Sequence, residues 1–349
     1  MTFERLAPEQ HDTLEGIPEP AETAVLFGHS AAAASIAEAY RSRRLHHALL
    51  LSGPQGIGKA TLAFHIARHL LEYPDPSEAP ETIRPADPSS SLFRQVASGA
   101  HLAVQHVTRS YNDKTKKFMT SLGVEEVRKI GRFLSMTAHD GAYRVVIVDS
   151  ADDMNVNAAN ALLKRLEEPP EKTLFLLISH SPGRLLPTIR SRCQTIRLSP
   201  LSDADLAAAL EAAGVRISEA KRAALFARAE GSVRTALLLT EFGGIEIVDA
   251  VDALLSAPQL DGALLHRLAD AVGGRGNEIL FHLMNDQLLR CFSEASLDAA
   301  RRGETERAAA LAKAWDEMLV AIHDADTYNL DRKQHALTMI LKSHRTLRM

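Results

Sequence analysis

Residues 53–59 read Gly-Pro-Gln-Gly-Ile-Gly-Lys, a spacing of glycines and one lysine suited to gripping a phosphate chain. Gly53, Gly56 and Gly58 let the backbone curl so that its N–H groups face phosphate oxygens. The start of the following helix adds positive potential, and Lys59 supplies a point charge. An apolar run over 48–51 precedes the loop and a helical pattern over 59–71 follows it, the context that such a motif requires. The alternative is a tight strand-to-helix turn that binds nothing.

The parts needed for turnover are missing. Where the motif places a Ser or Thr hydroxyl on magnesium stands Ala60, and a methyl cannot ligate a metal. Thr61 lies about 100° further round the helix and is a poor substitute. Residues 144–149, Arg-Val-Val-Ile-Val-Asp, form a second candidate nucleotide strand whose terminal Asp149 can orient magnesium through water. Ser150 follows, which is no base near neutral pH. Asp152 and Asp153 come next and either reach into the site in place of the missing base or sit at a helix start, where acids suit the dipole. Very weak hydrolysis or none is expected.

These residues need a scaffold, and the chain is long enough for one. Its 349 residues exceed a usual domain of about 100–200, and 46% apolar content supports a sizeable core. Apolar runs over 48–51, 145–148 and 174–178, with strand-like stretches over 104–108 and 194–198, alternate with helical patterns over 30–43, 59–71, 124–136 and 155–167, which predicts a parallel sheet covered on both faces. Prolines at 74, 76, 80, 85 and 88 make 73–91 an excursion from that core, and Asn112-Asp113 a turn. After Pro200 only helical signals remain: Ser202 with Asp205 fits a reciprocal cap, Ser218 opens a second helix and Ser232 a third. Helices then fill 249–349 around the break at 273–276.

Charge and cysteines narrow the function. A net charge of −4 weighs against a protein that holds nucleic acid alone through a large basic surface. Cys193 and Cys291 form no C-x-x-C, so neither a disulfide framework nor a zinc knuckle is built within the chain, which suits a reducing cytoplasm. The first 22 residues carry Glu4, Glu9, Asp12, Glu15, Glu19 and Glu22 against Arg5, the opposite of a signal peptide, and with Pro8, Pro18 and Pro20 they read as an extended arm. No apolar stretch approaches the ~20 residues of a membrane helix.

Residues 160–170, Asn-Ala-Leu-Leu-Lys-Arg-Leu-Glu-Glu-Pro-Pro, resemble the bacterial DNA polymerase III clamp-loader family, which has delta-prime and gamma/tau branches. His47-Ala48, Thr188-Ile189-Arg190-Ser191-Arg192-Cys193 and Gly231-Ser232-Val233-Arg234 match the same family, and the resemblance covers residues 27–238. It implies an AAA+ P-loop domain over 22–198 behind an arm over 1–21, a helical lid over 199–241 and an all-α collar over 242–349. Active AAA+ ATPases carry an acid at the position of Ser150, so the resemblance points to the delta-prime branch.

The resemblance implies that Arg192 reaches across a subunit interface to a neighbour's ATP, where a planar, permanently charged guanidinium suits the charge on transferred phosphate. The plain alternative is a surface salt bridge; Cys193 beside it reads as a small buried apolar residue. Arg234 matches the lid arginine that contacts nucleotide, and with Lys59 it either holds ATP or ADP weakly or serves folding. No cofactor is required by this reading. Many delta-prime proteins carry a four-cysteine zinc module where this chain has none, and His101 with His106 are too few to replace it. Implied partners are gamma/tau motor subunits and delta in a hetero-pentamer, with the sliding clamp and primer-template DNA reached through the complex. Lys114, Lys116 and Lys117 in the hairpin loop either touch DNA backbone or are merely solvated, and the basic residues after 332 serve either contact or helix packing. The rival readings are an active gamma-type motor, a self-contained P-loop enzyme, and a passive scaffold without a trans-acting arginine.

Overall fold

In a computed structural model of the chain, the described residues are 5–135, 142–274 and 276–348, so Met136 of the expected fourth helix and Arg275 of the glycine break lie outside them. The chain divides into two compact units, Met1–Arg234 and Thr235–Met349.

The strands in chain order are β1 (Ala48–Ser52), β2 (Val104–Val107), the short pair β3 (Tyr111–Asn112) and β4 (Lys117–Phe118), then β5 (Arg144–Val148), β6 (Thr173–Ser179) and β7 (Gln194–Arg197). Five of them make one sheet in the order β2-β5-β6-β1-β7, every pairing parallel. Successive strand side chains point to opposite faces, so a strand apolar at every position is stable only between two apolar layers. Leu49, Leu51, Val145, Ile147, Leu174 and Leu176 join one core with α1 (Ser30–Arg41), α2 (Lys59–Glu72) and α3 (Ser91–Ala97). Their strand neighbours Ala48, Leu50, Val146, Val148, Phe175 and Leu177 join the other core with α4 (Val124–Ser135) and α5 (Val156–Glu167).

Local signals mark the helix ends. The Asn155 side chain accepts from the Ala158 N–H at 2.9 Å to open α5, which stops just before Glu168-Pro169-Pro170. After the short α6 (Pro187–Arg190), Ser202 opens α7 (Asp203–Ala212) by accepting from the Asp205 N–H at 3.2 Å. The cap is not reciprocal as expected: the Ser202 hydroxyl itself donates to the Asp205 carboxylate at 2.7 Å, because an Asp is too short to reach back to the cap N–H. Next come α8 (Glu219–Ala229) and α9 (Val233–Glu241).

The arm and the proline-rich stretch are both ordered against the first unit. Arg5 donates to the Leu14 carbonyl at 2.8 Å and pairs with Glu19 at 3.0 Å, closing the arm into a loop. Ala7 and Ala21 of the arm and Ala79 of the excursion are buried in the α1–α2 core. Helix α3, which composition had hidden among prolines and serines, starts where Ser90 accepts from the Phe93 N–H at 3.1 Å; Phe93 then carries the Arg68 guanidinium at 4.4 Å from its ring centroid. Seven residues are too few for periodicity to announce. In the hairpin, the Asn112 side chain accepts from the Lys114 N–H at 3.0 Å, and Lys117 belongs to β4 rather than to the loop.

The second unit packs α10 (Gly244–Ser256), α11 (Gly262–Gly273), α12 (Glu278–Arg301), α13 (Thr305–Thr327) and α14 (Arg332–Thr346) around Val251, Leu268, Phe281, Met284, Leu288, Met318 and Ile340. The late basic residues are tied to its helices: Arg332 to Glu278 at 2.8 Å, Lys342 to Glu317 at 2.6 Å, and Lys333 to Asp270. That favours packing over contact with another molecule. Among the described residues no helix is long and apolar enough to cross a membrane.

Phe175, fully buried on the central strand β6, sets a test of the two-layer core. Phe175→Ala is expected to cost about 3–5 kcal/mol in urea unfolding followed by far-UV circular dichroism, and a loss under 1 kcal/mol would refute the packing described.

Candidate phosphate site

Parallel strands bring all their carboxyl ends to one edge of the sheet. Gly53 follows β1, Thr108 follows β2, Asp149 follows β5, His180 follows β6 and Leu198 follows β7. The crevice at such an edge is where doubly covered parallel sheets take ligands. The loop's glycines are required here by contact as well as conformation. Gly56 has φ +76°, and a Cβ there would lie 2.6 Å from the Arg234 Cβ and strike the Ser232 hydroxyl. Its carbonyl accepts from the N–H of Val233 at 2.9 Å and more weakly from that of Arg234 at 3.5 Å. Val233 and Arg234 are thereby tied to the phosphate loop through their backbone N–H groups.

Lys59 is turned back on its own loop. Its ammonium donates to the Gly53 carbonyl at 2.8 Å and to the Pro54 carbonyl, and only 3% of the residue is exposed. Burial lowers its pKa to about 8, opposed by the charges of Asp149 and Asp152. Asp149 shifts the other way. Although 26% of its side chain is accessible, burial pushes the carboxyl up to about 7, with Asp12 adding to the rise and Lys59 opposing it. His106, whose Nε2 is 4.0 Å from Asp149, is held down to about 4 by burial and is neutral at pH 7, so it offers no countercharge.

The remaining acids are committed. Asp152 accepts from the Ser179 hydroxyl at 2.7 Å and from the backbone N–H groups of His180 and Ser181, tying the loop after β5 to the end of β6. Asp153 takes a two-pronged grip from Arg109, Nε at 2.8 Å and Nη2 at 2.7 Å. Of the two readings for these acids, the helix start holds: they lie in a short 3-10 turn, Ala151–Asp153. Their partners come from the end of β6 and from Arg109 between β2 and β3, and sequence spacing carries no trace of that. Ser150 is buried at 5% exposure. Arg109 and Asp12 were likewise missed; only their charge marks them in the sequence.

The structure therefore gathers Gly53, Gly56, Gly58, Lys59, Asp149 and Arg234 at one edge. Arg234 is occupied, donating to the Asp12 carbonyl at 2.6 Å and lying 3.5 Å from the Asp12 carboxylate. Thr61, half-buried, sits on α2 one residue past the methyl of Ala60. These residues are poorly arranged for a bound Mg·ATP: no hydroxyl is offered at position 60, Lys59 donates to carbonyls of its own loop, and burial raises the Asp149 carboxyl.

Arg192 is elsewhere. It precedes Gln194, which is level with Leu49, four residues before the phosphate loop on β1. At about 3.3 Å per residue the start of β7 lies roughly 13 Å along β1 from the loop, and Arg192 precedes it on the side of the opposite end of the strands. Its guanidinium pairs with Glu167 at 2.8 Å and donates to the Thr188 carbonyl at 3.0 Å, with 36% of the side chain exposed. Cys193 packs against the α4–α5 core and burial raises its thiol to about 11, in keeping with an inert apolar role.

A five-stranded parallel sheet of this order, covered on both faces, with a glycine-lysine loop after β1 and an acid after β5, has the form of a P-loop α/β domain. A family profile described as "DNA polymerase III, delta subunit" matches residues 28–202, and the chain belongs to that family. The chain is 42% identical over 151 residues to DNA polymerase III subunit delta' of Pseudomonas aeruginosa, covering 42% of this chain and 41% of the relative. With Escherichia coli subunit delta' the identity is 35% over 161 residues, 46% of this chain and 45% of the relative. Subunit tau of E. coli is 30% identical over 280 residues, 78% of this chain and 41% of its own length. The matched stretch thus spans less than half the length of each of these relatives.

The raised Asp149 carboxyl gives a pH test. Below its ordinary 3.8 the folded and unfolded chains both hold the proton and the burial costs nothing. Between 3.8 and about 7 the unfolded chain ionises first, so stability falls, and the loss is complete above 7. Asp149→Asn is therefore expected to raise the thermal midpoint over wild type more at pH 8 than at pH 5. An equal shift at both would show that the carboxyl is not so perturbed.

Proposed function

We propose that this chain is a delta-prime-type clamp-loader subunit that does not turn over ATP itself and lends Arg192 to the ATP of a neighbouring motor subunit. The observation that carries the reading is the separation of two parts: a phosphate loop whose lysine ammonium is hydrogen-bonded to the loop's own carbonyls, and an arginine presented before the start of the edge strand β7. A guanidinium so placed cannot serve its own loop, and it is suited to a triphosphate approaching from outside. Glu167 and the Thr188 carbonyl hold its plane and leave donors for an incoming phosphate.

The assembly that follows is a hetero-pentamer with gamma/tau motor subunits and delta, placing the sliding clamp on primer-template DNA in the cytoplasm. ATP or ADP is at most a weak ligand of this chain, and neither magnesium nor zinc is needed for its role. The gamma-type motor reading draws on the long tau alignment, but Ala60 and Ser150 remove the metal hydroxyl and the base that such a motor needs.

The test is ATP turnover by the chain alone and mixed with motor and delta subunits. The chain alone is expected to give no turnover above background. The mixture is expected to hydrolyse ATP, and Arg192→Ala to abolish turnover at the one site it completes, lowering the assembly's kcat by that site's share. Unchanged turnover with Arg192→Ala would leave Arg192 as a surface ion pair.

A further inference from the structure

The amino-terminal arm meets the phosphate edge at several points. The Asp12 carbonyl and carboxylate face Arg234, the Thr108 hydroxyl donates to the Gln10 side chain at 2.6 Å, and His11 lies among Asp12, Arg109, Asp153 and Arg234. The Asp12 charge is felt by Asp149 after β5, His106 within β2 and His180 after β6. By direct contact, the segment reaches Thr108 after β2 through Gln10 and the Arg234 side chain through Asp12. An anionic side chain on Arg234, beside a phosphate loop, occupies the electrostatic place of a phosphate group.

From this geometry we infer that residues 10–13 are the resident ligand of the degenerate phosphate site, a tethered acidic segment that excludes nucleoside di- and triphosphates until it is lifted. The arm is held by anchors away from the loop. Arg5 is bound to Glu19, Leu14 and Ile17. The Thr13 hydroxyl accepts from the Gln10 N–H at 2.7 Å, and the Glu22 carboxylate from the Ala7 N–H at 3.1 Å. Being intramolecular, the arm competes at a high effective concentration, and the affinity of any nucleotide falls by the fraction of time the arm is lifted. The inference rests on the reading of the site as non-hydrolysing only in that the bound nucleotide would not be turned over.

Binding of a fluorescent mant-ADP probe, with magnesium, tests it on three full or near-full chains: wild type, a chain lacking residues 1–12, and the full-length double variant Arg5→Ala/Gln10→Ala. The double variant loosens the Arg5 anchor and the segment's own Gln10–Thr108 contact while leaving every residue of the phosphate loop in place, so it remains informative if the deletion fails to fold. An arm closed nine-tenths of the time or more gives the loosened chains about tenfold or greater gain in affinity. That gain should vanish when Lys59→Ala is added, and amides 10–13 should lose hydrogen-exchange protection in the double variant. Wild type binding as tightly as the double variant, or no binding by a folded variant whose arm amides have lost protection, would overturn the inference. Neither result bears on Arg192, whose role is decided by turnover in the mixed assembly, so the two ideas fail separately.

Discussion

Strand β1 has no water on either face, and the rest of the first unit is arranged around that constraint. Leu49 and Leu51 enter one core while Ala48 and Leu50 enter the other, so helices must cover both sides and the chain must cross over between parallel neighbours. Parallel crossovers put every strand end that can carry polar chemistry on the same edge. The phosphate loop, Asp149, the Asp152 ties and the Asp12–Arg234 contact are all consequences of that alignment. Arg192 is the counter-example, since it enters β7 from the other end and faces outward.

At the loaded edge, like charges are crowded where a nucleotide site would hold compensating cations. Asp12, Asp149 and Asp153 lie near enough for their fields to add, and burial has lowered the basicity of His106 and His180 so that they cannot neutralise them. Arg109 answers Asp153, Arg234 answers Asp12, and Lys59 only partly answers Asp149. The site is thus satisfied internally, each cation already matched to a protein oxygen. Within the folded chain those cations tie the loop, the arm and the strand ends together.

Residue order and type determined a good deal: the alternation of helix and strand, the two-sided burial of 48–51 and 174–178, the glycine-lysine loop, the methyl at 60, the Ser at 150 and the family-like runs at 160–170 and 188–193. These are local features, readable because backbone geometry and side-chain periodicity act over a few residues. The strand order, the closure of α9 on Gly56, the bond from Lys59 to its own loop, the distant partners of Asp152 and Asp153, and the seating of Asp12 on Arg234, 222 positions away, came only from the tertiary structure. Such pairings depend on through-space distance between charges and on which surfaces the core brings together, and no spacing along the chain encodes either.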